Sequence, residues 1–199
     1  TQQNTAITNN IINENKSFTG DTNYPVGIGG GIAIYNSNVY IALNEITDNI
    51  SETEGAGIIV NQGSGNSNEV SIVNNLITGN QASGVGGGIM LSGNPSDDTR
   101  IWNNTISDNL ATNDGGGIYF DYLTNVLVAN SIIYNNPPNS VDLSTSYSVN
   151  TSTFDHCDIE DDNLSSTPNA YGTFDEDPSF ADAIFRIHGS NNTPYWYQS

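Results

Sequence analysis

Positive charge is almost missing from this chain. Three Lys and Arg stand against 22 Asp and Glu in 199 residues, for a formal net charge of −19. With no row of cations to neutralise phosphates, such a surface repels nucleic acid and anionic membranes. Salt-bridge partners are equally scarce, so cohesion has to come from stacking and hydrogen bonds. Cysteine is nearly absent, and Cys157 alone excludes an internal disulfide or a cysteine-rich zinc site. The two histidines, His156 and His188, show no metal-ligating or catalytic spacing. No apolar run approaches the ~20 residues that span a bilayer, which speaks against membrane insertion. The first residues lack the basic and apolar regions of a signal peptide, so the start reads as that of a processed chain or of a piece of a longer one. Apolar residues make up only 35%. They recur at fixed places, however, and that separates the chain from a disordered one.

What is present is a repeat. Asn-x-Ile-x-x-Asn occurs at Asn10–Asn15, Asn44–Asn49, Asn75–Asn80, Asn104–Asn109 and Asn130–Asn135, with central isoleucines 34, 31, 29 and 26 residues apart. Eight residues after Asn49, Asn80 and Asn109 comes a glycine that opens an apolar strand: Gly57, Gly88 and Gly117. A unit of this length cannot bury its own apolar face, so copies must stack. Three strands per coil are expected: one around Ile7, Ile41, Ile72, Ile101 and Leu127, one around the central Ile, and one after the glycines. A sixth, degenerate coil places Phe154, Cys157, Ile159 and Asp162 at the same offsets, which makes Cys157 a small buried residue.

Short strands with tight Gly and Asn corners describe an all-β, right-handed, single-stranded parallel β-helix (a β-solenoid) of about six coils. Glycine triplets and β-branched residues exclude helical repeats. Blades of a β-propeller would need about 40 residues each. Residues 1–199 read as one domain, with regular coils over about 5–162 and an irregular C-terminal segment over about 163–199. The Asn columns have a mechanism: amides one coil apart, near 4.8 Å, can pass hydrogen bonds along the stack. Asn also tolerates the left-handed corner that a sharp turn requires. The glycine triplets are not phosphate cradles, since no Lys-Ser/Thr follows them.

The fuller pattern, Asn-x-Ile-x-x-Asn-x-Ala-x-x-x-Gly-Gly-Gly-Ile, is clearest at 75–89 and 104–118. It resembles the right-handed parallel β-helix repeats of secreted prokaryotic surface proteins, including pectate-lyase-like and polymorphic-outer-membrane-type repeats. The tail, Gly172-Thr-Phe-Asp-Glu-Asp-Pro-Ser-Phe-Ala-Asp182 followed by Phe185-Arg-Ile-His-Gly-Ser190, resembles the endings of such helices. The resemblance implies a cell-surface location and is specific for fold rather than activity.

Candidate chemistry is sparse, so the expectation is a non-catalytic extracellular structural or adhesive protein. The rival is a polysaccharide lyase or polysaccharide-binding module. A lyase would need a cationic base near clustered carboxylates, and Asp97, Asp98 and Arg100 are the only such neighbourhood. Trp102 and Tyr40 are expected beside Arg100 on one outward face, as a surface for carbohydrate. A hydrolase built on Asp48 and Asp108 lacks a partner on the coil between them, which carries Gly79. No cofactor is implied, although Asp158, Asp161, Asp175 and Asp177 lie in acidic tracts that could take a structural calcium. Sequons occur at Asn15, Asn49, Asn103, Asn150, Asn163 and Asn191. Asn15 and Asn49 belong to the expected ladder, so Asn150, Asn163 and Asn191 are the preferred glycan acceptors. A β-helix leaves raw edges at its ends, so head-to-tail self-association is expected, with Tyr195-Trp196-Tyr197 as anchors.

Overall fold

The computed structural model describes residues 5–18, 27–63, 68–93, 99–121, 126–143, 152–160, 170–173, 175, 187–188 and 194–195. Most of these residues form an all-β parallel solenoid, Ile187–His188 and Pro194–Tyr195 pair with each other as a separate antiparallel two-stranded sheet, and none of the described residues is helical. Four sheets run along the solenoid. The first holds seven strands: Thr5–Thr8, Val39–Ala42, Val70–Val73, Thr99–Trp102, Val126–Ala129, Thr153–Asp155 and Ala170–Tyr171. The second holds six: Ile11–Asn13, Glu45–Thr47, Leu76–Thr78, Thr105–Ser107, Ile132–Tyr134 and Asp158–Ile159. The third consists of Lys16–Ser17, Ile50–Ser51, Gln81–Ala82 and Leu110–Ala111. The fourth runs through Ile32–Tyr35, Ile58–Gln62, Ile89–Gly93, Ile118–Asp121 and Val141–Leu143.

Where three strands per coil were expected, the structure has a fourth, because the residues after the closing Asn also pair between coils. These strands are two residues long and turn inward Ser17, Ser51, Ala82 and Ala111, all small, the last three of them buried. The cross-section narrows here, and a larger side chain would have no room.

The core follows from alternation along each strand. Ile41, Ile72, Ile101, Val128 and Phe154 form one fully buried row, and Ile46, Ile77, Ile106 and Ile133 form another. Each such aliphatic side chain contributes about 1.5–3 kcal/mol of burial. Phe120 and Phe154 meet edge to face, 6.2 Å apart, where two rows converge. Cys157 is fully buried in the stack, and burial pushes its thiol up to about 12. It is a packing residue.

Two positions explain the glycine-rich corners, which are Gly triplets in three coils and Gly55-Ala-Gly57 in a fourth. Gly55 has φ +61, and a Cβ there would lie 2.5 Å from the Cβ of Ile59. The chain therefore folds back over the outside of the fourth sheet, which is why outward Ile59 is only 1% exposed. At Gly88 the limit is steric. A Cβ would sit 2.6 Å from the Gly117 carbonyl oxygen and 3.1 Å from the Asn109 amide nitrogen. The last glycine of each triplet thus packs on the closing Asn of the next coil.

The fifth repeat is shifted by one residue from its expected register. Ile106 pairs with Ile133, not Ile132, and Val128 rather than Leu127 continues the inward row. The stretch Asn130-Ser-Ile-Ile-Tyr-Asn-Asn136 matches the motif from Asn130 and, with Ser131 in place of the first Asn, again one residue later; a one-residue slip exchanges the two faces of the strand. The corners decide. Asn130 and Asn135 take the left-handed positions, at φ 50 and 56. The other register would put Ala129 and Tyr134 there, which tolerate that backbone poorly.

Candidate functional site

The most elaborate chemistry in the molecule is its amide ladder. In one column Asn10, Asn44, Asn75 and Asn104 follow each other, each Nδ2 donating to the next Oδ1 at 3.0–3.1 Å. In the other, Asn15, Asn49, Asn80, Asn109 and Asn136 do the same at 2.8–3.0 Å. Each interior Oδ1 accepts a backbone N–H from the preceding coil as well. The second amide hydrogen goes back to an isoleucine carbonyl of that coil: Asn75 to Ile41, Asn80 to Ile46, Asn104 to Ile72, Asn109 to Ile77. Every polar atom of these buried side chains is thereby used, as burial demands.

Asn130 and Asn135 were expected in the columns and stand outside them. Ser131 and Asn136 occupy their places, with Asn104 N–H donating to Ser131 Oγ at 3.2 Å. Asn135 instead donates its side-chain amide to the Asp108 carboxylate, and its backbone N–H to Glu160 at 2.6 Å.

The outer face of the first sheet holds the residues suspected of handling carbohydrate. Tyr40, Ser71, Arg100 and Leu127 form one outward column. Trp102 belongs to the neighbouring column, between Val73 and Ala129, so Tyr40 shares a column with Arg100 but not with Trp102. The Arg100 guanidinium lies over the Trp102 ring, 5.5 Å from its centroid, a cation–π contact. Tyr40 is 45% exposed and edges a shallow hollow of about 170 Å³, shared with Asn38, Val39, Glu69 and Ser71. Asp97 and Asp98 lie outside the described residues.

A second polar strip runs along the outer face of the fourth sheet, where Tyr35, Asn61, Ser92 and Asp121 stack in register. Ser92 Oγ donates to Asp121 at 3.2 Å. Burial, and then the Asp121 charge, raise the Glu54 carboxyl above its ordinary range. Burial raises Asp121, against the opposing Ser92 hydrogen bond, and Tyr35 is raised by burial and by Glu54. No periodicity announced this strip, because Glu54 reaches it from a turn rather than from a strand.

The remaining candidates are dispersed. Asp48 and Asp108 are exposed left-handed corner residues, at φ 54 and 56, and serve the turns. His156 pairs with its neighbour Asp155. Asp158 is buried beside Ile132, Asp175 is exposed, and Asp161 and Asp177 lie outside the described residues. Among the described residues no three His, Cys, Asp or Glu side chains are placed to hold a metal ion. Asn150, Asn163 and Asn191 also lie outside them, as do Trp196 and Tyr197.

Comparison with known proteins gives one family. The Chlamydia polymorphic membrane protein repeat matches residues 105–121. That segment runs from a second-sheet strand, through the closing Asn109 and the glycine triplet, to the end of a fourth-sheet strand. The match agrees with the likeness to parallel β-helix surface repeats carried by the Asn and Gly spacing. No curated protein and no solved structure matches the chain.

Proposed function

We propose that this chain is a non-catalytic, extracellular, right-handed β-solenoid of about six coils that serves as structural or adhesive material at a cell surface. The observation that carries this reading is where the chemistry goes. The buried ladder asparagines are spent on holding coil to coil, while most of the described carboxylates face water and keep the stack hydrated. The match to a membrane-protein repeat supports it. In this reading neighbouring solenoids associate head to tail. Surface labelling of the source cells tests the location: an antibody to the chain should bind intact cells and lose its signal after external protease treatment. Signal that appears only after lysis would sink the surface role.

One observation favours a second reading, a polysaccharide lyase or binding module on the first sheet: the Arg100–Trp102 contact beside exposed Tyr40. Incubation with acidic polysaccharides and Ca²⁺ should give no unsaturated-uronate absorbance. Turnover that disappears in Arg100→Ala would move the assignment to the enzyme.

A further inference from the structure

We propose that Asn103 is an N-glycan acceptor, a position that the repeat pattern alone gives no reason to prefer. Three sequons fall within the described residues: Asn15-Lys-Ser17, Asn49-Ile-Ser51 and Asn103-Asn-Thr105. The fold treats them differently. Asn49 is fully buried, and its Nδ2 donates to the Ile12 carbonyl at 2.9 Å and to Asn80 Oδ1 at 2.8 Å. A sugar on that nitrogen would remove one of those bonds and would have to sit inside the stack. Asn15 turns its Nδ2 toward Asn49 Oδ1 at 2.9 Å, so it too is engaged in the column.

Asn103 stands one residue before the ladder, and that one residue changes everything about it. It occupies the corner after the first sheet, at φ 56, and is exposed. Only its backbone is engaged, its N–H donating to the Ala129 carbonyl at 3.0 Å. Among the described residues its side chain makes no hydrogen bond, so a glycan there costs the fold no contact. The equivalent corners at Asn9, Leu43, Asn74, Asn130 and His156 share the left-handed backbone, but none has Ser or Thr two residues on. Among the described residues, Asn103 alone combines a carboxamide outside the ladder, an outward corner and the hydroxyl-bearing residue that the modification requires.

The step is a glycosyl transfer from a lipid-pyrophosphate-linked oligosaccharide. The Asn103 Nδ2 bonds to the anomeric carbon, the bond from that carbon to the phosphate oxygen breaks, and the lipid pyrophosphate leaves as the anion. The amide proton passes to a base of the transferase. Electrons balance without an oxidant. The fold also acts as a filter. Chains modified at Asn49 cannot close their coils, whereas chains modified at Asn103 fold around an untouched ladder.

This inference rests on the extracellular reading, because the donor is met only on export. The chain is secreted from an N-glycosylating host, digested, and deglycosylated enzymatically in oxygen-18 water, which marks each occupied Asn. The label should appear at Asn103 and be absent at Asn49 in folded, secreted protein. Asn103→Gln and Thr105→Val should each lose one glycan-sized step in gel mobility, and Thr105→Ser should retain it. Folded protein unlabelled at Asn103, or labelled at Asn49, overturns the proposal. Surface labelling of the source cells reads the location independently, so the two failures are distinguishable.

Discussion

The two amide columns begin alike and end differently. The closing column keeps asparagine from Asn15 through Asn136, and each member below the last passes its amide hydrogen upward. The opening column runs from Asn10 to Asn104, then continues with Ser131 and Cys157. Their surroundings account for the difference. The closing column lies against the last glycine of each triplet, where the carboxamide of Asn49, Asn80, Asn109 or Asn136 is the surface on which the neighbouring glycine backbone rests. The opening column has no such neighbour. Ser131 still accepts the Asn104 N–H, and Cys157 Sγ reaches the Val128 carbonyl at 3.6 Å, where an Asn would donate its amide. Backbone pairing and a buried row of aliphatics suffice to continue the stack there.

The contrast is broken most forcefully at Asn80. Replacing it with Ala strands the Asn49 amide, the Ile46 carbonyl and part of Asn109 in a dry interior. At about 1–3 kcal/mol for each uncompensated group, Asn80→Ala should lose about 3–5 kcal/mol, read from the midpoint of urea unfolding. A loss below about 1 kcal/mol would mean that water or relaxation replaces the amide, and the column would be incidental to stability.

Ser131→Asn sharpens the same comparison from the other side. It extends the opening column by one amide at a position that already accepts from Asn104. A gain of about 1 kcal/mol is expected, the worth of a net buried hydrogen bond. A destabilised protein would show that space, rather than the lack of an amide, ends the column.

The smallest effect separates ladder from surface. Glu54 and Asp121 have folded-state carboxyls raised above their ordinary values. Their contribution is therefore fully present below the ordinary carboxylate range and is lost as pH rises through the raised values. Lowering the pH from about 7 toward about 4.5 should raise Tm by a few degrees at most, because both groups are partly solvated and screened. The general repulsion of a chain at −19 pulls in the same direction. The Glu54→Gln, Asp121→Asn double variant should reduce the slope, and an unchanged slope would assign the whole effect to net charge.

Much of this fold can be read from residue spacing, because stacking makes each coil repeat the same physical demands. The isoleucine rows correspond to pairing between coils, and the recurring Asn and Gly mark residues that touch from one coil to the next. The fifth coil was misread because the motif read from Asn130 overlaps the register in use, which keeps the Ile and the closing Asn but opens with Ser131. The deciding signal was present in Ala129 and Tyr134, which fit a left-handed corner badly. The third sheet was missed because two residues are too few to show alternation, although Ala82 and Ala111 marked its narrow side. Surface features were least legible. Glu54 and Asp121 influence each other across coils with no fixed interval, whereas Arg100 and Trp102, two residues apart on one strand, were legible as neighbours on one outward face.

Parallel stacking also fixes how the molecule should answer to force. The hydrogen bonds that join coils point along the long axis, so a pull between the two ends loads them one layer at a time instead of all together in shear. Interior coils carry 31, 29 and 27 residues from one rung to the next. Each layer that peels away would release roughly 100 Å of slack. A tether built this way yields in steps, lengthening under tension while the layers behind stay folded.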